Sequence, residues 1–132
     1  MKKINNGVKV SILLIILFII IYILLRNLNG LSTKNNASPE MLYRNNSSID
    51  FLVYQNKAFV NASTLDWIQE LNLVPEKQLG VIQRTNIQKN YKDFDATKLA
   101  VGTTIYSVKD RKDILLVLIN KEYIPYYQYL EG

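Results

Sequence analysis

Residues 103–127 read TTIYSVKDRKDILLVLINKEYIPYY, three apolar runs separated by short polar breaks. β-Branched and aromatic residues dominate 103–108, 114–119 and 122–127, the composition that suits a pleated, half-buried surface. The charged break Lys109-Asp110-Arg111-Lys112-Asp113 and the tight pair Asn120-Lys121 turn the chain back on itself twice. The reading is an antiparallel meander. Residues 114–119 are apolar on both faces and belong in the middle of a sheet, whereas Pro125, which lacks an N–H, confines its strand to an edge or to a bend.

Working outward, residues 49–62 form a hairpin: Phe51-Leu52-Val53-Tyr54, a turn at Gln55-Asn56-Lys57, then Ala58-Phe59-Val60. A helix is expected next. Ser63 stands at the cap position with Asp66 three residues on, Leu65, Ile68, Leu71 and Trp67 form the apolar side, and Pro75 stops it. Trp67 has two readings, a ligand platform and, the plainer one, a large ring that anchors this helix to the sheet. Residues 78–85 are a further short strand around Gly80, and residues 86–98 are polar and irregular, a loop of a length sometimes functional. The fold class is therefore α+β: an antiparallel sheet of five or six strands, curled into a small or partly open barrel and covered by one helix.

Upstream, residues 29–48 are rich in Asn, Ser and Thr and read as a flexible tether, which leaves residues 49–132 as one small domain. Asn36, Asn46 and Asn61 each open an Asn-x-Ser acceptor pattern, a match that arises by chance in so Asn-rich a chain. Before the tether comes ILLIILFIIIYILL, which begins at Ile12 and ends at Leu25, with no charge, Gly or Pro. Fourteen helical residues span only ~21 Å, but Val8, Val10, Ser11 and Leu28 extend the run to about twenty, enough for a bilayer, with Lys9 and Arg26 reaching the interfaces. Residues 1–28 are thus expected to be a single-pass membrane anchor with a short basic tail. The alternative is a cleaved signal peptide, but Arg26-Asn27-Leu28-Asn29-Gly30-Leu31 offers no small-x-small cleavage pair near the apolar run. Lys2, Lys3 and Lys9 before the span favour a cytoplasmic amino terminus and an extracytoplasmic carboxyl-terminal domain.

The formal charge of +5 is uneven. Four of the sixteen basic residues lie before residue 27, leaving twelve against eleven acidic ones, so the domain is nearly neutral and lacks the footprint of a nucleic-acid binder. With no Cys and no His, the chain has no disulfide, no Ser-His-Asp or Cys-His nucleophile and no ordinary zinc site. No metal or cofactor is expected.

Gly102-Thr103-Thr104-Ile105-Tyr106, Ile114-Leu115-Leu116-Val117, the Asn120-Lys121 turn and Tyr123-Ile124-Pro125-Tyr126 through Tyr129-Leu130 together resemble the later strands of bacterial SH3-like domains. That resemblance implies a small β-barrel; Ile124-Pro125 stands where those domains carry an aromatic-Val pair after the hairpin. The wider run Asp93-Phe94-Asp95-Ala96-Thr97-Lys98-Leu99 with Gly102-Thr103 and Ile105-Tyr106 is similar to uncharacterised small exported or membrane-anchored proteins of Gram-positive bacteria, which implies a location.

Two groups of residues are candidates for chemistry. Asp93 and Asp95 are the best carboxylate pair, able to approach a cation or serve a small hydrolase, though the Gly and distal Glu of a calcium loop are missing and an Asp-rich turn binding its own amides is the plainer reading. Asp110 and Asp113 read as a solvated hairpin tip. Tyrosine is the outlier, nine in the chain and four of them at Tyr123, Tyr126, Tyr127 and Tyr129. Tyr buries a ring while keeping a hydroxyl, which suits it to core rims and to binding surfaces alike. The expected function is a non-catalytic binding module at the cell envelope, held in the lipid bilayer by Ile12 through Leu25, with a cell-wall polymer or another envelope protein as partner and Tyr123, Tyr126, Tyr127 and Tyr129 as the binding residues. A carboxylate-dependent hydrolase and an accessory subunit of a membrane complex are the alternatives.

Overall fold

The computed structural model describes residues 3, 5–30 and 38–130, with the side chains of 27–30 excepted. The chain divides into two compact units, Met1–Lys34 and Asn35–Gly132. In the first, helix α1 spans Asn6–Gly30 and is long and apolar enough to cross a membrane. All its apolar side chains from Val8 to Leu25 are exposed.

In the second unit a six-stranded antiparallel sheet is built from β1 (Phe51–Tyr54), β2 (Lys57–Asn61), β3 (Pro75–Val81), β4 (Thr104–Val108), β5 (Arg111–Ile119) and β6 (Glu122–Gln128). The strand order is β1-β2-β6-β5-β4-β3. Two hairpins close on two-residue turns whose central residues both have positive φ, Gln55 and Asn56 at 50° and 59°, Asn120 and Lys121 at 49° and 68°. That geometry matches the twist of the flanking strands, and Asn tolerates it best after Gly. The third hairpin is tighter than the five-residue break suggested: β5 starts at Arg111, opposite Val108, and Asp110 takes the positive φ of 63°.

Register shifts in β3 at Pro75, Gln78 and Gly80 bend the sheet into a curled half-barrel. Residues 94–97 then fill the gap between its edges. On one side Phe94 N donates to Val53 O, Val53 N to Asp95 O and Thr97 N to Phe51 O; on the other Gln83 N donates to Phe94 O and Ala96 N to Arg84 O. The irregular stretch 86–98 is therefore the seam of the fold. It satisfies the outer backbone groups of β1, which would otherwise form an open sheet edge.

Inside the curl, Leu52, Phe59, Ile82, Ala96, Ile105, Leu115, Val117 and Tyr126 make the main core. Two smaller clusters lie on the outer face. Helix α2 (Pro39–Asn45) seats Leu42 against Phe51, Val53 and Ala58, and helix α3 (Asp66–Gln69) seats Ile68 against Ala62, Val108, Ile114 and Leu116. Each large side chain so buried contributes about 1.5–3 kcal/mol.

Four expectations need correcting. The domain carries two short helices among the described residues, because 39–45, read as tether, is helical: Ser38 Oγ accepts from Met41 N, Pro39 takes the first turn, and Leu42 has a sheet face to cover. Of the presumed linker 29–48, residues 29–30 end α1, and residues 31–37 lie outside the described residues. The helix after β2 is a single turn starting from Leu65, and Ser63 does not cap it; Ser63 N and Oγ both donate to Asn61 Oδ1. Pro75 opens β3 opposite Val108 instead of merely stopping a helix. Finally, β6 is an interior strand, paired with β2 on one side and β5 on the other. Pro125 is tolerated there because β2 ends at Asn61: Pro125 O accepts from Ala62 N, and the missing N–H would point to that same side, past the last strand residue.

Candidate functional site

Strand alternation sorts the four tyrosines of β6 and its continuation. Tyr126 points inward and is fully buried. Its hydroxyl donates to Asp50 Oδ2 at 2.9 Å, and Asn61 Nδ2 donates to the same oxygen at 2.9 Å. Burial, followed by the charge of Asp50 and the bond to it, holds the Tyr126 phenol well above its ordinary range. Tyr126 is therefore core and not binding surface. Asn61, bound to Asp50 through Nδ2 and to Ser63 through Oδ1, has its amide occupied, which disfavours it as a glycan acceptor.

The other three tyrosines face outward. Tyr127 is half-buried against Trp67, the two rings near perpendicular with centroids 5.1 Å apart, and the guanidinium of Arg111 lies over the Trp67 ring, 5.9 Å from its centroid. Arg111 is itself clamped by Asp113, Nε to Oδ1 at 2.8 Å and Nη2 to Oδ2 at 2.7 Å, and this bond holds the Asp113 carboxyl below its ordinary range. The charged hairpin tip thus steadies the Trp67 ring. Beside it runs a groove of about 400 Å³ lined by Val60, Ala62, Leu65, Tyr127, Tyr129 and Leu130. Tyr123, 44% exposed, packs edge-on to Tyr106 at 5.5 Å and lines a separate groove of about 440 Å³ with Leu71, Leu73 and Pro125. The four candidates are thus divided between the core and two neighbouring grooves.

Trp67 at 43%, Leu65 at 39%, Tyr129 at 36% and Leu130 at 54% exposure make one apolar, aromatic patch over β2, β6 and α3. The sequence reading put Leu65 and Trp67 on the apolar side of a longer helix, with a ligand platform as the lesser reading of Trp67, and named Leu130 only within the SH3-like resemblance. No local signal separates an apolar residue that packs from one that stays exposed: Leu65 precedes the one-turn α3 and stays exposed with Trp67, while Ile68 beside them is buried.

Asp93 and Asp95, two residues apart, are not brought together as a reactive pair. Asp95 is 1% exposed and accepts from Arg84 Nε at 2.7 Å, from Arg84 Nη2 and from Lys92 N at 2.7 Å, while Asp93 Oδ1 accepts from Asn56 N at 3.0 Å. Both carboxylates tie the seam 94–97 to its neighbours. Among the described residues, no group of three or more Asp, Glu, His or Cys side chains is placed to hold a metal ion. A third cavity of about 360 Å³ opens at the end of the curl near the β1–β2 turn, with Tyr54, Phe59, Leu79 and Leu115 as its floor and Lys57 and Lys112 at its rim.

No protein-family model, curated protein or solved structure matches the chain.

Proposed function

We propose that this chain is a single-pass, membrane-anchored interaction module: α1 holds it in the membrane with the amino terminus in the cytoplasm, and the domain works outside, without catalysis, through the outer face of β2 and β6. The observation that carries this reading is the patch of Leu65, Trp67, Tyr129 and Leu130, apolar and aromatic side chains left exposed on one face of a domain whose other large side chains are mostly packed. Exposed aromatic clusters of this kind suit association with envelope components. The curled sheet is compatible with the SH3-like resemblance of residues 102–130. A hydrolase using Asp93 and Asp95 is the weaker reading, since Asp95 is buried beneath Arg84 and has no free oxygen to offer a substrate.

The test places a photo-crosslinking residue at Leu130 of the full-length chain in walled bacterial cells, with the same residue at exposed Lys98 as the reference. Adducts with an envelope component, formed at 130 and not at 98, are the expected result. Equal or absent labelling at the two positions overturns the assignment of this face.

A further inference from the structure

We infer that the occupant of the Trp67 face is the bilayer surface itself, so that the domain lies against the membrane in which its own chain is anchored. This deepens the reading above and rests on α1 being a retained anchor.

Three observations point the same way. The first is reach: residues 31–37 separate Gly30, the end of α1, from Ser38, the cap of α2, and so short a segment spans no more than about 30 Å even when fully extended. That is about the diameter of a domain this size, so the tether holds the domain at an effective concentration near the membrane in the millimolar range. The second is placement. Leu42 of α2 packs on the outer face of β1 and β2 with Val60 beside it, and Val60 also lines the Trp67-side groove. The chain therefore joins the domain on the same outer face that carries the patch.

The third is chemistry. Trp and Tyr prefer the headgroup level of a bilayer, where a ring can be buried while its N–H or O–H stays hydrated, and leucines beside them reach the acyl boundary. Trp67, Tyr129, Leu65 and Leu130, with Met41 of α2 at 47% exposure, have that composition. The charges named around them show no basic excess: Asp66 on α3, Glu70 at its end and Asp113, which clamps Arg111, stand against Arg44 and Arg111. Docking is therefore apolar in origin and needs neither anionic lipid nor low salt.

Trp67 is the only tryptophan in the chain and reports on its own site. The full-length protein is placed in nanodiscs of zwitterionic phosphatidylcholine at one chain per disc. Iodide in the buffer and bromine on the upper acyl carbons of the lipid serve as the two quenchers. The expected result is quenching of Trp67 by the brominated lipid, with iodide quenching at least threefold weaker than in the Leu65→Ser/Leu130→Ser variant, and both unchanged in 0.5 M salt. Because both substituted positions are exposed, the variant keeps its melting temperature. Full iodide access with no effect of brominated lipid overturns the inference, as does shielding that requires anionic lipid and vanishes in salt. Shielding seen only with several chains per disc assigns the face to a second copy. Shielding seen only after adding wall polymer or solubilised envelope protein assigns it to that partner; either result overturns bilayer docking and leaves the interaction module standing. A chain that does not remain with the nanodisc overturns the anchor, and with it both readings.

Discussion

The ring of Phe94 occupies the space that any side chain at Gly80 would need: a Cβ built on Gly80 comes within 2.8 Å of Phe94 Cε1 and 2.9 Å of Cζ. Phe94 itself has a positive φ of 67°, a strained conformation for an aromatic residue, held by its backbone bonds to Val53 and Gln83 and by its ring packing against Tyr54 at 5.8 Å. The seam thus sits tightly on β3. Gly80→Ala is expected to destabilise the domain by about 1–3 kcal/mol through overpacking. Phe94→Leu should relieve part of that cost, so a double-mutant cycle in urea should be non-additive. Additive effects would place the two residues apart.

The two aspartates of the same loop should behave differently. Asp95→Asn puts an amide N–H₂ among the donors of Arg84 and Lys92 N, in a site 1% exposed, and is expected to cost about 1–3 kcal/mol. Asp93→Asn keeps an oxygen for Asn56 N and should stay within about 0.5 kcal/mol of the parent. Chemical denaturation of each variant decides; equal costs would mean that Asp95 does not hold the seam.

Tyrosine substitutions should fall into two groups. Tyr126→Ala empties a fully buried site and should cost about 3–5 kcal/mol. Tyr126→Phe keeps the ring but takes one of two hydrogen bonds from Asp50 Oδ2, whose neighbour Oδ1 is buried with no hydrogen-bond partner among the described residues, and should cost about 1–3 kcal/mol. Tyr129→Ala should leave the melting curve within about 0.5 kcal/mol of the parent while weakening crosslinking from residue 130. If Tyr129→Ala melted early and left association intact, the outer face would be packing surface only.

Alkaline pH should destabilise the domain through two tyrosines, Tyr91 and Tyr126. Burial, reinforced by Tyr43, Glu40 and Asp95, pushes the Tyr91 phenol up to about 12, and Tyr126 lies above its ordinary range for the same first reason. In the unfolded chain both ionise near pH ~10. Above that pH the unfolded state binds fewer protons than the folded one, so stability is complete below about pH 10 and falls as pH rises beyond it. Urea midpoints at pH 9 and pH 11 should drop by less in Tyr126→Phe than in the parent. An equal drop would show that Tyr126 ionises normally in the fold.

Topology has its own check. Protease added to cells stripped of their wall should digest the domain and leave a membrane-bound stub containing α1. A released domain with a new amino terminus near residues 29–37 would identify α1 as a signal peptide.

Much of this was legible locally. The Asn120-Lys121 turn, the Gln55-Asn56-Lys57 turn less its last residue, the apolar runs of β1, β2, β4 and β6, and the length and composition of α1 are nearest-neighbour properties, and the chain alone determined them. So was the tyrosine excess in β6. What only the tertiary structure decided is where each strand and ring goes. Pro125 looks like an edge marker until β2 is seen to end beside it, and 39–45 looks like linker until β1 and β2 offer Leu42 a surface. Residues 94–97 carry no strand pattern because their partners, Phe51 and Val53 on one side and Gln83 and Arg84 on the other, lie far off in sequence. The candidate site divides the same way. Alternation separates Tyr126 from Tyr127 and Tyr129, but which side is core depends on which face of the sheet curls inward, a property of six strands together and of no single segment.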